Sequence, residues 1–494
     1  MRPSSFRPAG LLAGALMCLA AGPSGERPLP KPPLYEPVAL PTGAALRRVG
    51  GDPGESLCFP GRPCPDPSLR WGTRSIHHGF KDQPWSADGA LVWIRNGGQG
   101  SFPKALALDA ATWRPALFCS QDGKGSPAGD DRWHPDPRHA RVRVEVTGAA
   151  PRRLRWIDVT DCLVVRDVPI PAEGGFDPKG IGDGEGNLSD DGRYVFLHDP
   201  ARVSGRLVDM EPAGPCPAGA VSKGGMCFGP VTPLDCGLPA PAACRIGHST
   251  VTPTGRRVVV KHTVKGAGRQ DDYLRVYEVD RPSLSIKPAS YAIDPACRPH
   301  PSLPRERGRD GWVFRLAHAD VALNPFDAGK EYLVGARRPA CGEGMNRVVM
   351  VDLSSGEATA VSTGDPRTEE APHHVSARAV RRPGWVVVTY RHDTPCKGLE
   401  GCRFRDAIAA FRMQGGDGRR EERYGIARSD HDALPGDDDD EAQAVPSPDG
   451  RAILFRSTWS LPGSCPAGAC GWPGQVNAYV IERSKQEPVT PPDR

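Results

Sequence analysis

Residues 187–199 read NLSDDGRYVFLHD, a turn rich in Ser, Asp and Gly that runs straight into an apolar strand, and the same pattern recurs along the chain. It returns as WSADGALVWIR from Trp85, VTPTGRRVVVKHT from Val251, NPFDAGKEYLVGA from Asn324, RRPGWVVVTYR from Arg381 and SPDGRAILFRSTW from Ser447. A degenerate copy fills the long gap after the first, where Trp133-His134-Pro135 precedes HARVRVEV and RRLRWIDVT. Further β-rich segments follow most copies, such as YLRVYEV from Tyr273, RVVMVDL from Arg347 and VNAYVI from Val476, so each unit reads as several antiparallel strands. Helical periodicity is almost absent. Short strands at this spacing, with the same turn at the same place in each unit, predict an all-β fold, a seven-bladed β-propeller with six or eight blades as alternatives.

Composition agrees and excludes other classes. The chain has 494 residues, with 58 Gly, 54 Pro and 38% hydrophobic residues, enough to bury a core in a turn-rich protein. A formal net charge of +4 is nearly neutral for this length, and the chain carries no long Lys/Arg run, so nucleic acid is not expected as a partner.

The N-terminus begins Met1-Arg2-Pro3-Ser4-Ser5-Phe6-Arg7 and continues into the apolar run from Leu11 to Ala20. Two positive charges before a short apolar run that ends in small residues predict a signal peptide over residues 1–20, hence a periplasmic or secreted protein. No stretch reaches the roughly 18 apolar residues of a membrane span. Residues 21–48 are Pro-rich and read as an extended linker; the propeller is expected over 49–486, with a tail at 487–494. The chain has 15 cysteines, and loss of Cys18 with the signal peptide leaves an even number, as expected of disulfides. Cys58/Cys64, Cys396/Cys402 and Cys465/Cys470 read as local staples, and the dense run from Cys216 to Cys244 as a self-stapled insertion.

In a propeller the innermost strands line one channel, so equivalent positions converge near its axis. Glu185, His248 and Gln443 each stand four residues ahead of the Ser or Thr that opens a turn, on one strand face. His318, His374 and His78 occupy the corresponding stretch of their units. Imidazole, carboxylate and amide oxygen together form a ligand set for divalent metals, and imidazole is also a general base near neutral pH. Polar residues on inner strands also commonly serve only to bind backbone or channel water.

The strings GEGNLSDDGRYV, AHADVALNP, HHVSARAVRRPGW and AQAVPSPDGRAILF resemble those of exported bacterial propellers related to oligogalacturonate lyases and, more loosely, the Tol-associated propeller repeat. The resemblance spans roughly Trp71 to Glu482. It implies a metal, manganese foremost, at His318, His374 and Gln443, with His248 as base; Glu185 and His78, placed at the same channel mouth by their repeat positions, are expected near a substrate. The implied substrate is an acidic oligosaccharide, cleaved by elimination. The lyases follow their glutamine with two closely spaced histidines; here Gln443 is followed by Ala444-Val445-Pro446-Ser447. That departure implies an alternative, a non-catalytic propeller binding an envelope protein or glycan; on either reading the protein is expected to be a monomer. Lys261, His262 and Arg315 are further basic candidates.

Other signals point nowhere. Gly247-His248-Ser249-Thr250-Val251 lacks the last glycine of a nucleophile elbow. The glycine-rich run Gly180–Gly186 precedes a strand outside any βαβ unit. The acidic run from Asp437 to Glu441 lacks calcium-loop spacing and reads as a solvated connection.

Overall fold

A computed structural model describes residues 31–58, 66–98, 105–118, 131–148, 150–182, 185–234, 244–266, 269–289, 312–313, 316–337, 347–362, 372–390, 407–415, 420–424, 441–459 and 475–483. The turn recognised in the sequence is a hydrogen-bonded device. Ser86 Oγ accepts from the Leu91 N–H at 3.0 Å and donates to Asp88 at 2.5 Å, while Gly89, at φ +76°, closes the turn onto the Ser86 carbonyl. Ser189–Asp191–Gly192 and Ser447–Asp449–Gly450 repeat it atom for atom. The positive φ at the last position favours glycine, which has no Cβ to clash.

Each turn leads into an antiparallel unit. Unit I comprises Arg74–Ile76, Leu91–Gly97, Ala105–Asp109 and Pro115–Phe118. Unit II holds Asp131–Trp133, Val142–Val146, Arg153–Asp158 and Leu163–Pro169. Unit III is built on Tyr194–Asp199, Ser204–Asp209, Val221–Lys223 and Met226–Phe228, and unit IV on Cys244–Val251, Arg257–Gly266, Arg269–Asp280 and Ser285–Pro288. Leu316–Asn324, Lys330–Arg337, Arg347–Asp352 and Ala358–Ala360 form unit V. Unit VI consists of Pro372–Ser376, Trp385–Tyr390, Ile408–Arg412 and Glu421–Arg423. Unit VII contains Val445–Pro446, Ala452–Ser457 and Val476–Glu482 and is completed by Ala45–Arg48 and Pro37–Ala39 from the start of the chain.

The last pairing corrects the linker assignment. Pro37–Ala39 and Ala45–Arg48 are strands of the sheet, with Leu46 opposite Ile481 and fully buried beside Phe455 and Tyr479. The prolines that suggested a linker crowd residues 28–33, whereas Leu40, Ala44 and Leu46 supply apolar side chains that the core takes up. Pairing of the N-terminal strand with the C-terminal one hides both of their edges.

Apolar faces stack each unit on the next. Trp93 and Trp133 join units I and II; Trp156 and Phe228, II and III; Phe196 and Val260, III and IV; Val259 and Leu333, IV and V; Val348 and Phe411, V and VI. Ile408 and Phe455 join VI to VII, and Leu454 and Ile94 join VII back to I, so the stack closes on itself as a β-propeller. Among the described residues the helical structure consists of 3₁₀ turns, and no helix is long and apolar enough to cross a membrane. Cys216 and Cys227 are joined by a disulfide inside the run predicted to be self-stapled, and Cys58 and Cys162 are half-cystines as well. Cys64, Cys396, Cys402, Cys465 and Cys470 lie outside the described residues.

Candidate metal centre and acid–base cluster at the axis

The centre of the ring is occupied by unit I. Ile76 and Trp85 both pair with the same neighbouring strand, and the intervening residues leave it as an excursion that reaches the other units in turn. Asp82 faces Arg132 of unit II at 3.7 Å. Lys81 forms a short hydrogen bond with Glu185 of unit III and sits 3.0 Å from His248 Nε2 of unit IV. The Phe80 ring lies 5.8 Å from His318 of unit V and 4.5 Å from His374 of unit VI. His77 Nε2 is 2.7 Å from the Gln443 carbonyl of unit VII, and Gln83 donates to the Arg378 carbonyl at 2.6 Å.

Backbone irregularities aim the side chains. The innermost strands of units IV, V and VI each carry a register shift: between Ile246 and His248, between Ala317 and Asp320, and between Pro372 and His374. A strictly pleated strand would send His373 and His374 to opposite faces; the shift lets both imidazoles serve one site. His318 and Gln443 adopt left-handed backbone conformations, at φ +45° and +39°, which a non-glycine residue takes only where the surroundings impose it.

Two clusters result. In the first, the ring centroids of His318, His373 and His374 are 4.1–4.5 Å apart, and each contributes a nitrogen to a group of atoms within 4.8 Å of one another. Glu441 Oε2 stands 3.0 Å from His374 Nε2 and 3.4 Å from His373 Nδ1. Burial, with the Lys81 charge next in weight, lowers the His318 pKa to about 4, so its imidazole is neutral and ligand-competent at neutral pH. Three neutral-type donors and a carboxylate fit a divalent metal.

The second cluster is Lys81, Glu185 and His248. Lys81 and His248 are buried, whereas 43% of the Glu185 side chain is exposed. Glu185 lies 3.1 Å from His248 Nδ1. Burial drives His248 well below the usual histidine value, against the pull of Glu185. Burial works to raise the Glu185 pKa, but His248 and then Lys81 outweigh it and hold the carboxyl well below the usual range.

The sequence-predicted residues therefore separate. His318 and His374 share the metal-type cluster; Glu185 and His248 share the acid–base cluster. Gln443 approaches from unit VII, its side-chain oxygen 3.4 Å from where a Cβ on Gly79 would stand. His78 is drawn away to Asp82, at 3.3 Å. Lys261 lies opposite His248 in the strand pairing and His262 is fully buried, while Arg315 lies outside the described residues. Glu441 is buried at the site rather than solvated, which corrects its reading as the end of an exposed acidic run.

No family model matches the chain, and no curated protein does. Solved structures similar to it include an oligogalacturonate lyase in complex with manganese, at 13% identity and a TM-score of 0.49 over 91% of this chain and 96% of that one. They also include the oligogalacturonate lyase from Vibrio parahaemolyticus (12% identity, TM-score 0.47, 90% and 96%) and the RRP9 WD40 repeats (8%, 0.42, 88% and 99%).

Sequence reasoning missed His373, Lys81 and Glu441. The His373-His374 doublet was visible, but only a bulge makes both useful. Glu441 shares strand parity with Gln443, a signal that its place in an acidic run concealed. Lys81 belongs to no repeat position.

Proposed function

We propose that the chain is an exported, seven-bladed propeller enzyme, periplasmic or secreted, that acts on acidic oligosaccharides by metal-assisted elimination. The observation that carries this reading is the meeting of His318, His373 and His374 within 4.8 Å, with Glu441 beside them and the buried Lys81 cluster adjoining through Phe80. His318, His373, His374 and Glu441 would hold the ion, manganese in the first instance, with Gln443 alongside. When bound, such an ion supplies a Lewis acid that neutralises a uronate carboxylate and so acidifies the adjacent C–H. Both ring nitrogens of His248 are engaged, one with Lys81 and one with Glu185, so His248 acts through Lys81 rather than on the sugar directly. The Lys81 amine, in its neutral form, would take the proton from carbon, the C=C bond forms as the glycosidic C–O bond breaks, and the departing oxygen takes a proton from water, leaving an unsaturated uronate.

A second reading, a non-catalytic propeller that binds an envelope protein or glycan, is favoured by the stretch Ala444–Ser447, which carries no imidazole where the resembled lyases carry two. One experiment separates them: metal analysis of the chelator-treated and reloaded protein, with ultraviolet detection of unsaturated product from oligogalacturonides. The enzyme reading expects metal that His374→Ala loses, and product formation that Lys81→Met reduces by at least about 100-fold with metal retained. A stably folded protein that takes up no metal at this cluster and forms no product leaves the binding reading.

A further inference from the structure

We propose a second metal site, independent of the axial one, formed by His134, His139 and Glu211 at the junction of units II and III and selective for a zinc-like divalent ion. It stands where the repeat is broken. At the position of His134 units I, III, IV and VII place Ser86, Ser189, Thr252 and Ser447, whose hydroxyls each accept the backbone N–H five residues on. Unit II has an imidazole there and a longer turn, Pro135 to Arg141, folded around the 3₁₀ turn Pro137–His139. The substitution discards the turn's own hydroxyl cap and gains a ligand type.

The three side chains already converge. One potential ligand atom from each of His134, His139 and Glu211 lies in a group within 4.8 Å of one another. His139 Nε2 is 2.9 Å from Glu211 Oε1, and the His134 and His139 rings are 4.6 Å apart. Trp156 walls the site, its ring 4.8 Å from His134 and 5.0 Å from His139. His134 is fully buried, and its Nε2 has no hydrogen-bond partner, an unsatisfied polar atom of the kind a bound ion would explain. The Asp136 nitrogen lies 3.3 Å from His134 Nδ1, a long contact that loading of the site would break, because Nε2 can bind an ion only in the tautomer with the ring proton on Nδ1. Room for the ring exists only because residue 192 is glycine: a Cβ there would lie 2.2 Å from His134 Cε1.

Two imidazoles and one carboxylate are the protein ligands of many zinc sites that keep a further position for water. His139 and Glu211, each 27% exposed at the side chain, leave a path from solvent. Arg138 reaches Glu211 at 3.3 Å and would yield part of that contact to the ion. An ion here would tie the long turn of unit II to Glu211, just beyond the strand Ser204–Asp209 of unit III.

The test uses full-length protein stripped by chelation and titrated with zinc(II) by calorimetry. His374→Ala, which weakens the axial site, should retain a zinc equivalent, and adding Glu211→Gln or His139→Ala should weaken that equivalent by about tenfold or more. A second measurement needs no variant: saturating zinc should protect His139 from diethyl pyrocarbonate, read by peptide mass spectrometry. Absence of the residual equivalent in His374→Ala, its persistence at unchanged affinity in the double variants, or unprotected His139 would each overturn the proposal.

Discussion

Asp320 and Arg378 lie two and four residues beyond His318 and His374 and fasten the two strands that carry those imidazoles. Their side chains are 1% and 5% exposed. Arg378 donates Nε to Asp320 Oδ2 and Nη2 to Asp320 Oδ1, both at 2.8 Å, and the same carboxylate accepts the N–H groups of Ala377 and Val321, each at 2.8 Å. Asp320→Ala strands a buried guanidinium whose described remaining acceptor is the Val321 carbonyl. Removal of one partner from such a pair costs about 3–5 kcal/mol. At about 2 °C per kcal/mol for a chain of this size, the melting temperature should fall by about 6–10 °C. Because the buried charge is the main penalty, Asp320→Leu combined with Arg378→Met should recover much of that loss, and differential scanning calorimetry on both singles and the double closes the cycle. Metal affinity at the axial cluster should fall in Asp320→Ala, since the His318 bulge loses its anchor. A single variant within about 1 kcal/mol of wild type, or a double variant equal to the sum of the singles, would refute the reasoning.

Asp190 lies in a cavity with Asp82, Arg132 and Arg378, and burial raises its pKa to about 6 from 3.8. The native state then holds more protons than the unfolded one between those values, so this group's contribution declines as pH rises from about 4 to 6; relative to wild type, Asp190→Asn should gain up to about 3 kcal/mol across that interval in denaturant titrations. Deletion of residues 31–48 exposes the edge of Val476–Glu482 and removes buried Leu46; the shortened protein should aggregate on purification, as light scattering would show. Cys216→Ser with Cys227→Ser opens an 11-residue separation and should cost about 2–4 kcal/mol by urea unfolding, with the axial metal affinity unchanged.

How much was legible depended on whether a signal repeats. The Ser-x-Asp-Gly turn satisfies its own hydrogen bonds within six residues, so it appears wherever the chain makes that turn, and its recurrence determined the all-β class and the propeller. Equivalent repeat positions also brought Glu185 and His248 to one cluster, and His318 and His374 to another, because stacked units bring their inner strands to a common axis. Ala45–Arg48 was not legible as a strand, because its partner Val476–Glu482 lies more than 400 residues away, and Pro37–Ala39 in turn pairs with Ala45–Arg48; short strands take their state from the edge they complete. The clusters' final membership was decided by tertiary structure alone. Lys81 and Phe80 reach the axis on an excursion that no repeat specifies, His373 joins His374 through a bulge, and the pairing of Glu441 with the imidazoles is a contact between neighbouring units. Local chemistry writes the turn and the strand into the sequence; the place where separate strands meet is set by packing around the ring, which no short segment contains.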